Sequence, residues 1–190
     1  MISLFHQTTF INGITFFSNG IFTQGKEGNS AEILARIGTL CTGIVSLLGA
    51  ATSMFMWKYM KRTHFILISE IVMAISLGFS GLFALVDSQI GIIAFTLIFM
   101  FAFSWGFGPT LWIYSSEVLD SFGCSVVGVI NMFFVWVFAT FSNLGFMYFT
   151  PPGMYFGLVM IQIVCILFVW KYVRETKGKT KEDLKKLYAD

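Results

Sequence analysis

In this chain of 190 residues, 56% are hydrophobic, 18% are aromatic and only 12% are charged, whereas soluble domains carry roughly 25% charged residues. A water-soluble fold of this size has no room to hide so much apolar surface. The charges also cluster: none lies between Ile37 and Trp57, between Gln89 and Ser116, or between Ser121 and Trp170, which is the pattern of bilayer spans of about 20 apolar residues each.

In chain order the apolar runs are Phe5 to Phe22, Ile37 to Trp57, Phe65 to Val86, Ile90 to Tyr114, Cys124 to Tyr148 and Met154 to Trp170. Each is expected to be a helix, because a coil or open sheet edge in lipid leaves backbone groups unpaired. The last two runs have no charge between them, but Thr150-Pro151-Pro152-Gly153 is a turn signal that ends one helix and starts another. The expectation is an all-α membrane protein, with residues 1–174 forming a six-span bundle and residues 175–190 a tail. Within that tail Thr180 is a candidate cap for a short helix, with acids in its first turn and lysines in its last.

Basic residues favour the cytoplasmic side. Three (Lys58, Lys61 and Arg62) lie between spans two and three and seven follow from Lys171 onward, whereas the opposite face has only Lys26 and Arg36. With six spans both termini are expected in the cytoplasm. The first residues carry no base and are followed by Asn12, Asn19 and Gly20, so no cleaved leader is expected. Cys41, Cys124 and Cys165 sit in or beside different spans without a CxxC pair, and neither a disulfide framework nor a metal site is expected. The one acid inside a span, Glu70, reads as a residue that reaches the interface or pairs with Lys61 or Arg62, with ion coupling as the alternative.

Span one is polar for a membrane helix. His6, Gln7 and Asn12 share it with Thr8, Thr15 and Asn19, and a carboxamide offers a donor and an acceptor together, which suits vicinal hydroxyls. Hydrogen bonding that merely holds the bundle together is the competing reading. Span four is interrupted by Gly106, Gly108 and Pro109, and paired interruptions in corresponding spans point to a transporter's binding site. Trp57, Trp105 and Trp170 read as interfacial anchors. Gly38, Gly43, Gly49, Ala50 and Ala51 in span two, and Gly123 and Gly128 at span five, read as sites of close helix approach.

These residues resemble the sugar porter family of the major facilitator superfamily, over nearly the whole chain. His6-Gln7-Thr-Thr-Phe-Ile-Asn12 with Phe16-Phe17-Ser18-Asn19-Gly20 is similar to the family's seventh helix, and Gly108-Pro109-Thr110-Leu111-Trp112 with Ser116-Glu117 to its tenth. Trp136 falls where the eleventh helix has a tryptophan, and Arg174-Glu175-Thr176-Lys177-Gly178 resembles the signature after the twelfth. The resemblance implies sugar contacts from His6, Gln7, Asn12, Phe103, Trp112 and Trp136, and gating at Phe16, Phe17, Gly108 and Pro109. It also implies a cytoplasmic charge network of Glu117, Arg62 and Glu175. Ser104 stands where glucose transporters have a glutamate, Gly43 where the eighth helix offers an asparagine, and Cys124 where an arginine would partner Glu117, so the latch reads as incomplete.

The implied function is transport of a hexose-like sugar by alternating access, as the carboxy-terminal half of a carrier. The alternative is a non-transporting half-carrier relic or a regulatory membrane subunit. No enzymatic activity, cofactor, metal or nucleic-acid partner is expected. The expected partners are a sugar, the lipid bilayer and either an amino-terminal half or a second copy, in the plasma membrane rather than an internal one.

Overall fold

The computed structural model describes residues 2–23, 28–148, 151–179 and 183–184. Its elements are α1 (Ile2–Thr8), α2 (Ile11–Thr23), α3 (Asn29–Met56), α4 (Arg62–Leu85), α5 (Gln89–Ala102), a π-helical turn (Phe103–Phe107), α6 (Gly108–Val118), α7 (Ser121–Tyr148) and α8 (Pro151–Tyr172). No strand occurs among the described residues. Among the described residues five helical columns are long and apolar enough to cross a bilayer: α3, α4, α5 continuing through the π turn into α6, α7 and α8. The first expected span, Phe5 to Phe22, falls on α1 and α2, neither of which is long enough to count among these five.

Helix ends follow local chemistry. Ser88 caps α5 by accepting the Gly91 N–H at 3.4 Å, and Asp120 Oδ1 accepts the Gly123 N–H at 2.8 Å in front of α7. Asp87, at φ 54°, turns the chain out of α4 in the left-handed region common after helix C-termini. Helix α3 starts eight residues before the apolar run, at Asn29, and its exposed first turns are tied by Glu32 and Arg36 at 2.5 Å. Pro151 opens α8 instead of lying in a turn, as suits a residue with a preset φ and no N–H to lose. The expected tail cap, Thr180, lies outside the described residues, as do Lys26 and most of the tail. Asp183 and Leu184 are helical, and Leu184 is buried.

Lipid supplies no hydrophobic drive between helices, so association rests on packing and interhelical hydrogen bonds. Helix α4 is the centre of that packing and lies along both α5 and α8. Its Ile66, Met73 and Leu77 join Ile92 and Phe99 of α5 and Tyr155 and Leu158 of α8 in one buried cluster. Helix α3 packs on α2, α5 and the π turn, while α7 lies against α1, α2 and α6.

The first span is not one helix. The chain breaks after Thr8, and Phe10 takes φ 66°, a costly value for a bulky residue. Two hydroxyls satisfy carbonyls of the last turn of α1: Thr8 Oγ1 donates to the Phe5 carbonyl at 2.9 Å and Thr9 Oγ1 to the His6 carbonyl at 2.8 Å. Such compensation is what a broken helix needs at membrane depth. The Phe10 ring folds over Gly13, where a Cβ would lie 2.5 Å from it.

Glu70 departs from the sequence reading. It is fully buried and meets neither Lys61 nor Arg62. Instead it accepts a hydrogen bond from Gln162 Nε2 and lies 3.3 Å from Cys165 Sγ, both on α8. Arg62 is engaged by Glu117, and Glu70, about two turns further along α4, takes the donors that α8 presents.

Candidate functional site: a cavity between α1, α3 and α6

The π turn packs against both α3 and α4. A Cβ on Gly49 would lie 2.9 Å from Ser104 Cβ and 3.0 Å from the Phe101 carbonyl oxygen, and one on Gly106 would collide with the Ser69 side chain. These two glycines let the widened turn pass between the flanking helices. Pro109 follows at the start of α6 and offers no N–H to the preceding carbonyls. The interruption of span four is therefore a π turn combined with a proline, a combination frequent at functional sites.

Beside it lies a cavity of ≈ 930 Å³, bounded by His6 of α1, by Ser46, Leu47, Ala50, Ala51, Ser53, Met54 and Trp57 on α3 and just beyond its end, and by Phe103, Ser104, Gly108, Pro109, Trp112 and Ile113. That is near the upper end of the roughly 300–1,000 Å³ of ligand clefts. His6 is buried between the rings of Phe103 and Phe107, with centroids 5.1 and 5.4 Å away.

A carboxamide network borders His6. Gln7 Nε2 donates to Asn131 Oδ1 on α7 at 3.0 Å and lies 3.1 Å from His6 Nδ1, while Asn12 Nδ2 donates to Gln7 Oε1 at 2.5 Å. The amide can donate to His6 Nδ1 in the tautomer that carries its proton on Nε2. That nitrogen makes no hydrogen bond of normal geometry; the Gly108 backbone is the polar group beside it.

At the other end of the cavity the Arg62 guanidinium stacks 4.3 Å above the Trp57 ring and donates through Nη1 to the Trp57 carbonyl at 2.8 Å. Its Nε and Nη2 both donate to Glu117 Oε1, at 3.2 and 2.9 Å. Glu117 Oε2 accepts from Thr176 Oγ1 at 2.5 Å. Glu175 accepts the backbone N–H groups of Arg62, Thr63 and Lys177 at 2.9 to 3.1 Å. Partial burial pushes the Glu175 carboxyl up, but the backbone donors of Lys177, Arg62 and Thr63 outweigh it and hold it below the ordinary value.

Of the residues singled out in the sequence, the structure gathers His6, Phe103, Gly108, Pro109 and Trp112 around one cavity, with Gln7 and Asn12 joined to each other behind it. Glu117, Arg62 and Glu175 form one cluster. Trp136, 75% exposed on α7, is not in the lining, and neither is Phe16, 66% exposed on α2; Phe17 packs against the core. Glu117 is not left without a cation by Cys124, which donates to the Ser115 carbonyl at 3.5 Å while Arg62 takes the carboxylate.

Sequence reasoning missed the α3 wall. Ser46, Ala50, Ser53, Met54 and Trp57 fall on one helical face, but their small or apolar side chains read as packing and Trp57 as an anchor. Gly43, by contrast, has nothing within 4 Å of where its Cβ would be. Asn131 and Gln162 were also missed. Gln162 is the lone carboxamide of its apolar span and Asn131 one of two in its own, and a carboxamide in such a span is itself a signal that a partner lies across the interface.

A family profile described as "Sugar (and other) transporter" matches residues 1–188. The chain is 26% identical to sugar transport protein 11 of Arabidopsis thaliana, over 100% of this chain and 39% of that relative. It is also 26% identical to the D-xylose-proton symporter of Escherichia coli K12, over 99% of this chain and 40% of the relative. A solved structure of the proton:xylose symporter XylE, bound to 6-bromo-6-deoxy-D-glucose, superposes with a TM-score of 0.82 at 23% identity, covering 99% of this chain and 41% of that one.

The fold is thus that of a multi-pass membrane protein of the major facilitator type. The chain belongs to the sugar (and other) transporter family, a family of carriers and not of enzymes. It spans about two-fifths of the length of the curated relatives it matches.

Proposed function

We propose that this chain is the carboxy-terminal six-span half of a sugar carrier and forms one wall of a pathway for a neutral, hexose-like sugar. The observation that carries this reading is the ≈ 930 Å³ cavity at the paired interruptions of spans one and four, bordered by a network of buried His6, Gln7 and Asn131 with half-buried Asn12. Discontinuous helices around such a site are the usual construction of a carrier's binding centre. His6, Trp112 and Phe103 face the sugar in this reading. Gln7 and Asn12 hold the broken helix in shape and meet the sugar when the network opens. Trp136, Phe16 and Phe17 act where an opposing half covers them.

Alternating access then amounts to rocking of this bundle against an amino-terminal half or a second copy. The Arg62–Glu117–Glu175 cluster lies on the basic, cytoplasmic face and ties α4, α6 and the segment after α8 together. Both termini are cytoplasmic and the plasma membrane is the proposed location. The test is radiolabelled D-glucose and D-xylose uptake into liposomes holding the chain alone or together with an amino-terminal six-span half. Saturable uptake requiring the pair is the expected result. Saturable uptake by the monomeric chain alone contradicts the half-carrier reading, and its absence in both preparations contradicts transport.

A further inference from the structure

We propose that Trp57 is a positioning residue: it lines the cavity and at the same time holds the Arg62 guanidinium on Glu117, so that the Arg62–Glu117 ion pair answers to the cavity wall. The inference deepens the carrier reading, on which its functional sense rests, while the contact it names is testable without a sugar.

The short connection from α3 to α4 brings the two residues together. The Trp57 N–H donates to the Ser53 carbonyl at 3.1 Å, and the Tyr59 and Met60 N–H groups turn back onto the Met56 carbonyl at 3.0 and 3.1 Å. The chain therefore returns on itself, and Arg62, at the start of α4, stands over the indole. Trp57 grips the guanidinium twice, with its ring 4.3 Å away and its carbonyl accepting from Nη1 at 2.8 Å. The Nε–Nη2 edge is left, and that edge meets Glu117 Oε1.

The side chains of this pair are 16% and 26% exposed. An arginine–glutamate pair near a surface contributes little when two long side chains must first be ordered for it. A guanidinium already fixed on its face and one edge loses less freedom when it pairs.

Trp57 is itself fixed from behind. Its ring meets Phe65 edge-on at 5.9 Å, and Phe65, which is buried, meets Trp105 of the π turn at 4.5 Å. A packed series of Trp105, Phe65, Trp57, Arg62 and Glu117 thus runs from the π turn, at one end of α6, to the last turn of the same helix. An interfacial anchor, the role expected of Trp57, turns its indole N–H to a polar partner. Trp57 Nε1 is instead buried and makes no hydrogen bond among the described residues. The ring is placed for packing, and the charged group packed on it is Arg62.

The experiment measures, by peptide mapping, the rate at which phenylglyoxal modifies Arg62 in the chain held in lipid nanodiscs, with Arg36 as the internal reference. Trp57→Leu is expected to speed modification of Arg62 about fivefold. Trp57→Met, which keeps bulk and loses the ring face, is expected to do the same and replaces Trp57→Leu should that variant not fold. Trp57→Phe, which keeps a ring face, is expected to stay within about twofold of the parent. In a Glu117→Gln background Trp57→Leu is expected to add less than about twofold, because ring and carboxylate hold one group together. An Arg62 rate unchanged by loss of the ring, or Trp57→Phe as fast as Trp57→Leu, overturns the proposal. So does a full fivefold added in the Glu117→Gln background, which makes the ring a cover and not a positioning group. Each of these results leaves the carrier reading to the uptake assay.

Discussion

The α4–α8 side of the bundle and the α1–α6 side are written in the same apolar residues, yet their helices are built differently. On the first side the helices are continuous, and Glu70, Gln162 and Cys165 satisfy one another across the interface. On the second, α1 and α2 are broken at Phe10, the fourth span carries a π turn, and His6, Ser46 and Trp57 line a cavity. Continuous helices closed on one another hold the bundle together, and interrupted ones leave space for a ligand. The contrast locates function better than polarity alone, since the most polar buried residue of the bundle, Glu70, lies on the closed side.

The largest effect is expected at the join between the two sides. Gly106→Leu forces a side chain into Ser69 of α4 and is predicted to cost about 3 kcal/mol, read as a lowered midpoint of thermal unfolding in mild detergent, with loss of sugar binding. A variant that unfolds normally and still binds sugar removes the π turn from the site. Next, Glu70→Ala strands the Gln162 amide and is expected to cost about 2 kcal/mol, with Glu70→Gln closer to the parent. Sugar affinity at the cavity should not change in either. A folded Glu70→Ala protein that no longer binds sugar breaks the division between closed and open sides.

How much of this was legible in the sequence depends on what breaks a pattern. The spans were legible because apolar runs of bilayer length have few other uses. The turn into α8 was nearly so, since Pro151 and Pro152 announce it. The break at Phe10 was not, because Thr8, Thr9 and Phe10 include neither glycine nor proline, and the strained backbone is held by hydroxyl bonds and by the space over Gly13. Glu70 was misread because sequence distance favoured Lys61 and Arg62, while its partner lay 92 residues away. The tenth-helix hinge and the Arg62–Glu117–Glu175 cluster were visible through resemblance. The cavity wall on α3 was invisible for the opposite reason: alanine, serine and methionine make a lining only when another element stands back from them.

Smaller effects sharpen the same contrast. Asn131→Ala releases the Gln7 amide and is predicted to cost about 1 kcal/mol, less than Glu70→Ala, yet to change sugar affinity, which Glu70→Ala does not. Equal behaviour of the two variants in the binding assay argues against separate roles. The smallest effect belongs to Glu175. Its carboxyl is held below the ordinary glutamate value of about 4.3, so its contribution is fully present above that pH and is lost as pH falls through the lower folded-state value. The difference in unfolding midpoint between the parent and Glu175→Gln should therefore be constant near neutrality and shrink in acid. A difference that grows in acid reverses the sign and refutes the assignment.

The most direct test of the central claim, that the open side is the sugar's path, is photo-crosslinking with a neutral diazirine-bearing glucoside followed by peptide mapping. The account predicts labels on residues 46–57 and 103–113, displaced by excess unlabelled glucoside. Displaceable labels confined to the Glu70 and Gln162 face or to the outer surface around Trp136, with the α3 and α6 walls clean, would contradict it.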